Sequence, residues 1–129
     1  MDIIPAVGDM SYETMFRESS LMVTDFSGIQ FDFAYMRKPL VYLHHKDIPQ
    51  HYEEGTFFYD TMAFGEIAHD NDELIDLLCE YMASGCKMKE EYVRRADDFF
   101  YYNDHNNCKR IYDTMIEYQE KKILPYRQK

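Results

Sequence analysis

Ser27-Gly28 followed by Asp32 is the set of residues in this chain whose types and spacing best suit chemistry. They come directly after a compact apolar run, Leu21-Met-Val23, and a turn at Asp25 and Phe26. Serine is a favoured N-cap type, because its hydroxyl accepts a bond from a free N–H of the first helical turn. Glycine removes the side chain where a ligand must come closest. The unpaired first-turn N–H groups and the helix dipole make such a corner suited to an anion. Asp32, about one and a half turns after Ser27, adds a carboxylate within reach of a sugar or polyol hydroxyl. The chemistry this describes is the holding of a phosphorylated ligand. The same residues also suit a purely structural role, a cap and an eased turn, and the local sequence alone does not separate the two.

The elements that must position this corner follow from the pattern around it. Leu21 to Val23 is short, apolar and β-branched at its end, which predicts a buried strand. A helix follows through about Tyr35 and stops at Lys38-Pro39. Leu40 to Leu43 is the next buried strand, and Ile3 to Val7 reads as an earlier one. Gly8-Asp9 turns the chain, and Asp9 or Ser11 caps a helix through about Ser19 with Met15 and Phe16 inward. Alternating strands and helices with short connections predict an α/β fold: a parallel, Rossmann-like, three-layer sheet. The corner would lie at the carboxyl edge of that sheet, where ligands bind.

Further along, Phe64 to His69 is a candidate short strand. Asp70 or Asn71 then caps the clearest helix of the chain, whose stripe is Leu74, Leu77, Leu78, Tyr81 and Met82, closed by Gly85. A second helix spans Lys87 to about Tyr102, with Tyr92, Ala96, Phe99 and Phe100 inward. A third, capped at Asn103-Asp104, runs to about Lys122 with Cys108, Ile111, Tyr112, Met115 and Ile116 as its core stripe. These form a helical C-terminal segment, after which Ile123-Leu-Pro125 ends the helical run and the basic tail Tyr126 to Lys129 frays.

Between them, residues 44–63 form a long aromatic and acidic loop, and loops of that length in compact domains are usually functional or disordered. His44, His45 and His51 lie there with Asp47, Glu53 and Glu54. Adjacent histidines on a strand point to opposite faces, which suits a single metal poorly, so no metal is expected. Cys79, Cys86 and Cys108 lack metal-type spacing and fit idle thiols in a reducing cytoplasm.

Composition narrows the function classes. A chain of 129 residues is expected to form a single domain, residues 1–129. A net charge of −10 argues against a nucleic-acid surface and against unaided attachment to anionic lipid. No apolar run has the length of a membrane span, and no signal peptide is visible. Three strands are few for a parallel sheet, so the chain is expected to be part of a larger protein. Its uncovered edge beside Ile3 to Val7 would favour self-association.

Ser20 to Ala34 (Ser-Leu-Met-Val-Thr-Asp-Phe-Ser-Gly-Ile-Gln-Phe-Asp-Phe-Ala) resembles the "ITDYSS…FD" signature of the CDP-glycerol glycerophosphotransferase family, the polymerases and primases of teichoic-acid synthesis. Lys38-Pro39-Leu-Val-Tyr is similar to that family's following strand. Asp47, Tyr52, Glu54-Gly55, Phe58-Tyr59-Asp60 and Phe64-Gly65 follow its loop pattern in order, and Asp72-Glu73-Leu74 its helix start. The resemblance runs from about Asp9 to Tyr118.

It implies two Rossmann-like domains facing across a cleft, the GT-B arrangement, with this chain as the later part of the second, donor-nucleotide-binding domain. By resemblance, Ser27 and Gly28 contact the donor phosphates, Asp32 completes the donor site, and Asp47, Tyr52 and Glu54 are candidate loop contacts. Gly28 departs from the family's commoner serine: a backbone N–H remains and one hydroxyl contact is lost. The catalytic histidines implied by the family lie upstream, so no catalytic residue is assigned within this chain. The implied donor is CDP-glycerol or CDP-ribitol with no further cofactor. The partners are the missing N-terminal part of the enzyme and a lipid-linked or glycan acceptor. The implied place is the cytoplasm, peripheral at the inner face of the cell membrane. Two other readings stay open on the residues: a sugar-nucleotide glycosyltransferase or epimerase, and a non-catalytic α/β interaction module.

Overall fold

The computed structural model describes residues 11–47 and 57–121. The expected strand at Ile3 to Val7, the loop residues His51, Tyr52, Glu53 and Glu54, and the tail from Tyr126 lie outside the described residues. The chain divides into two compact units, Met1–Phe99 and Phe100–Lys129. In the first, the order is α1 (Tyr12–Glu18), β1 (Met22–Thr24), α2 (Gln30–Tyr35), β2 (Leu40–Leu43), α3 (Tyr59–Met62), β3 (Glu66–Ala68), α4 (Asn71–Ala83) and α5 (Glu90–Phe99). The second holds α6 (Asn107–Glu120).

The three strands form one parallel sheet in the order β1-β2-β3. Met22 pairs with Leu40 and Thr24 with Tyr42; Tyr42 in turn pairs with Ile67 and Leu43 with Ala68. Side chains alternate along β2, so each of its faces needs its own cover. Val41 and Ala68 pack with Tyr81 of α4, and Leu43, Leu74, Leu77 and Leu78 close around them. The opposite face carries Tyr42, whose hydroxyl donates to Gln30 Oε1 of α2 at 2.7 Å. Helices therefore cover both faces of an α/β sheet, as the strand–helix alternation predicts. Leu40, Val41 and Phe33 are fully or nearly fully buried, each a burial worth about 1.5–3 kcal/mol.

The expected boundaries shift in ways that local hydrogen bonding explains. Ser11 caps α1, its side chain accepting from the Thr14 N–H, and Asp9 lies outside the described residues. The far end of α1 is closed by Lys38, whose Nζ donates to the carbonyls of Phe16, Arg17 at 3.1 Å and Ser19 at 2.7 Å. Pro39 beside it is buried, and its carbonyl accepts from Met22 N–H at 3.2 Å, starting the β1–β2 ladder.

Helix α2 ends in a Schellman turn: Lys38 N–H reaches the Phe33 carbonyl and Arg37 N–H that of Ala34. Arg37 takes the left-handed conformation there (φ 57°), held by its guanidinium on the Ala34 and Tyr35 carbonyls and on Asp97 of α5. Asp70 caps α4 through the Glu73 N–H, and Gly85 ends it at φ 75° as expected. Tyr81 is that helix's buried anchor; its hydroxyl donates to Glu66 Oε2 at 2.6 Å, and Lys89 pairs with both Glu66 and Glu80. Met82, expected inward, is exposed.

Two expected stripes are corrected. Helix α5 is shorter than expected, Glu90–Phe99, with only Tyr92 and Ala96 buried. In the second unit, Ile111, Tyr112 and Met115 are 61%, 64% and 64% exposed, and only Ile116 is half-buried. Amphipathic spacing made α6 a helix, yet the described residues of its unit supply no second layer to bury the stripe. Its start is set by Asp104, which accepts from Asn106 N–H and holds the Arg110 guanidinium at 2.8 and 2.9 Å, not by a side-chain cap from Asn103.

Gly65 is required by close approach: a Cβ there would stand 1.8 Å from the Leu40 carbonyl oxygen of β2. Gly65→Ala should therefore cost at least about 3 kcal/mol, the upper range of overpacking penalties, in urea unfolding. A wild-type unfolding midpoint would contradict the strand placement. Lys38→Met keeps the stem but removes three bonds to carbonyls; a loss of about 1.5–3 kcal/mol is expected by the same measurement.

Candidate functional site

The corner forms where β1 gives way to α2, but not as a capped helix start. Ser27 Oγ accepts from the Ile29 N–H at 3.5 Å, a weak serine turn, and the N-cap of α2 is Ile29, which makes no side-chain bond. The Ser27 and Gly28 carbonyls accept from Gln30 and Phe31, so the chain enters α2 through three-residue turns. The expectation of Ser27 as N-cap is corrected: the serine stands three residues before α2, because these tighter turns intervene.

Gly28 is exposed, and a Cβ built on it would meet nothing within 4 Å. Among the described residues, nothing accepts from the Gly28 N–H. No packing or backbone demand of the described residues accounts for this glycine. Asp32 falls in the first turn of α2, four residues after Gly28, and is exposed. Ser27 and Gly28 thus precede the helix whose first turn carries Asp32.

Asp47 is not gathered there by any bond: its own N–H donates to His45 Nδ1 at 3.2 Å, and its carboxylate lies 3.4 Å from that nitrogen. Tyr52 and Glu54 lie outside the described residues. Among the described residues, no group of three or more His, Cys, Asp or Glu converges as a metal site.

What holds the corner is a buried polar bridge behind it. Tyr42 is fully buried; its hydroxyl donates to Gln30 Oε1 and accepts from the Phe64 N–H at 3.2 Å. Gln30 Nε2 reaches the Tyr59 hydroxyl at 3.5 Å. Burial pushes the Tyr42 phenol well above its ordinary value, so it stays a donor at any physiological pH. Gln30, the first residue of α2, is fixed by this bridge, and the turn before it is fixed with it.

The sequence offers His44 only as one of two adjacent histidines that suit a single metal poorly. In the structure it lies beside the corner: its ring stacks on Phe26 with centroids 4.2 Å apart and planes 18° from parallel. The signal was available in the register. Thr24 pairs with Tyr42, so two residues further along parallel strands Phe26 comes level with His44. Burial, then His69, push the imidazole below its ordinary value, partly offset by Asp25.

Away from the corner, a concave region of about 360 Å³ is lined by residues that include Tyr59, Asp60, Glu66, Glu73, Tyr92 and Arg95. Three of its charged groups carry structural duties: Glu66 holds Tyr81 and Lys89, Glu73 holds the His69 N–H, and Arg95 donates to the Ala63 carbonyl at 3.0 Å. Burial, then Glu66, push the Tyr92 phenol up to about 12, which leaves no acid or base poised near neutrality from that ring.

Comparison with known proteins bears on what the corner binds. Residues 1–117 match the family model described as CDP-Glycerol:Poly(glycerophosphate) glycerophosphotransferase. The chain is 36% identical over 113 residues to the minor teichoic acid biosynthesis protein GgaB of Bacillus subtilis (strain 168). That alignment takes in 88% of this chain but 12% of the relative, so the chain spans about an eighth of that protein's length. No solved structure matches. With the family model covering nearly the whole chain, including the Ser27-Gly28 corner, the chain belongs to the CDP-glycerol:poly(glycerophosphate) glycerophosphotransferase family.

Proposed function

We propose that this chain is the donor-binding part of a glycerophosphotransferase of teichoic-acid synthesis, and that the Ser27-Gly28 corner holds the diphosphate of a CDP-activated polyol. The observation that carries the reading is Gly28, an exposed glycine with open space around it and an N–H no described residue uses, in a chain of this family. A phosphate oxygen placed there would accept from the Gly28 N–H and the Ser27 hydroxyl. Asp32, one turn on, suits a bond from a hydroxyl of the ribose or the polyol. CDP-glycerol is the donor the family name favours, with CDP-ribitol as the variant that the same diphosphate contacts would accept.

In the transfer, an acceptor hydroxyl oxygen forms a bond to the glycerol-bearing phosphorus as the bridging P–O bond breaks. The electron pair leaves on CMP, and the acceptor proton passes to a base. Donors at the corner stabilise the charge developing on the departing phosphate, the kind of preorganised help that dominates phosphoryl transfer. No base in the corner is placed for the acceptor, so we assign it, with the acceptor site, to a facing domain of a longer, GT-B-like enzyme working at the inner face of the membrane. No described helix is long and apolar enough to cross a membrane.

Calorimetry with CDP-glycerol, CDP-ribitol and UDP-glucose tests the reading, with thermal melts to verify folding. Gly28→Val should abolish CDP-glycerol binding while leaving the melt unchanged, since the space at Gly28 is open in the protein itself. Ser27→Ala should weaken binding by about 1–3 kcal/mol, and Gly28→Ser should bind at least as well as wild type. Preference for UDP-glucose over both CDP-polyols, or wild-type affinity in Gly28→Val, would overturn it. The isolated chain should also release no CMP from CDP-glycerol in the presence of a primed acceptor; turnover would show that the base lies within it.

A further inference from the structure

His44 joins the carboxyl ends of all three strands. Its N–H donates to the Ala68 carbonyl at the end of β3 at 2.8 Å, pinning its main chain there. Its ring lies against Phe26, past the end of β1, while Tyr59 of α3 closes it edge-on at 4.5 Å and Tyr42 flanks it at 5.7 Å. The ring also bonds the backbone of Asp25, whereas Nε2 is buried without a partner among the described residues. These two facts assign the tautomer: Nδ1 carries the proton and donates to the Asp25 carbonyl, and Nε2 is a bare lone pair.

We propose that neutral His44 is a positioning residue that clamps the Asp25–Phe26 turn, and with it the Ser27 and Gly28 groups, and that protonation of Nε2 opens the clamp. The proposal rests on reading the corner as the donor site. One ring fixes the turn twice, by a bond to the Asp25 carbonyl and by a stack on the Phe26 ring. Protonation would place a second N–H in a position walled by aromatic rings with no described acceptor, a cost the fold avoids by keeping the ring neutral.

The groups around His44 set the direction. Burial and His69 beyond β3 oppose the charge, and Asp25 beyond β1 favours it to a lesser degree. Tyr42 and Tyr59 present uncharged phenols. The Asp47 carboxylate lies 3.4 Å from His45 Nδ1, and that of Glu73 of α4 lies 3.3 Å from His69 Nδ1. Because the folded value lies below the ordinary 6.5, the clamp is fully present above that pH and is lost as pH falls below it.

NMR on the labelled full chain tests this without donor. At about pH 7.5 a long-range proton–nitrogen spectrum should show His44 as the Nδ1–H tautomer, and on acidification it should titrate below the ordinary histidine value. The Ser27 and Gly28 amides should move with the His44 midpoint. That step should vanish in His44→Asn, whose side-chain amide can still donate to the Asp25 carbonyl but does not titrate. CDP-glycerol keeps a constant diphosphate charge over this range, so its affinity should fall with the His44 midpoint in wild type and stay flat across it in His44→Asn.

An Nε2–H tautomer, or Ser27 and Gly28 amides indifferent to His44, would overturn the clamp even if CDP-glycerol binds. A coupled titration in a chain that ignores CDP-glycerol would uphold the clamp and defeat the donor reading instead. The wild-type spectrum alone decides the tautomer, so a misfolded variant would not rescue the proposal.

Discussion

The bridge from Gln30 through the Tyr42 hydroxyl to the Phe64 N–H is the interaction on which the rest depends. All of it is buried, and a buried polar group left without a partner costs about 1–3 kcal/mol. Only one seating of α2 on β2 brings Gln30 Oε1 to the Tyr42 hydroxyl while the segment before β3 offers its N–H. The same geometry presses Gly65 against the Leu40 carbonyl, where no side chain fits. The buried Phe33 and Ala34 hold this helix of six residues on the sheet, but apolar contact has no direction and does not by itself fix a register. The polar bridge gives it a definite register, and the corner inherits that register.

Motif residues in this chain divide into two kinds by what they touch. Lys38, Pro39 and Gly65 are consumed by the fold: the first closes α1, the second opens the β1–β2 ladder, the third permits close strand approach. Ser27, Gly28 and Asp32 do little of this. The Ser27 bond is long, Gly28 stands in open space, and Asp32 is exposed. That these pattern residues are not used by the fold is what supports the proposal that they hold the donor phosphates in this family.

Much of this was legible in the residues. The parallel α/β sheet followed from short apolar runs separated by helical spacing, and Leu40–Leu43 and the Asp70 cap fell where the pattern put them. Local rules failed where a distant partner decided the outcome. Ser27 has the composition of a cap, yet Gln30 is held by Tyr42, and the helix begins at Gln30. His44 looked like half of an unsuitable metal pair until the strand register brought it level with Phe26. The stripe on α6 has the spacing of a core helix, but spacing says nothing of whether a covering layer exists within the same unit.

The central claim, that the corner rather than the Tyr59–Arg95 cleft receives the donor, is tested most directly by mapping amide shifts as CDP-glycerol is added to the labelled chain. The account predicts saturable shifts at Ser27, Gly28 and Ile29, reproduced by CDP and absent with cytidine, because the diphosphate makes the contact. Saturable shifts confined to residues around Glu66 and Arg95, with Gly28 unmoved, would contradict it.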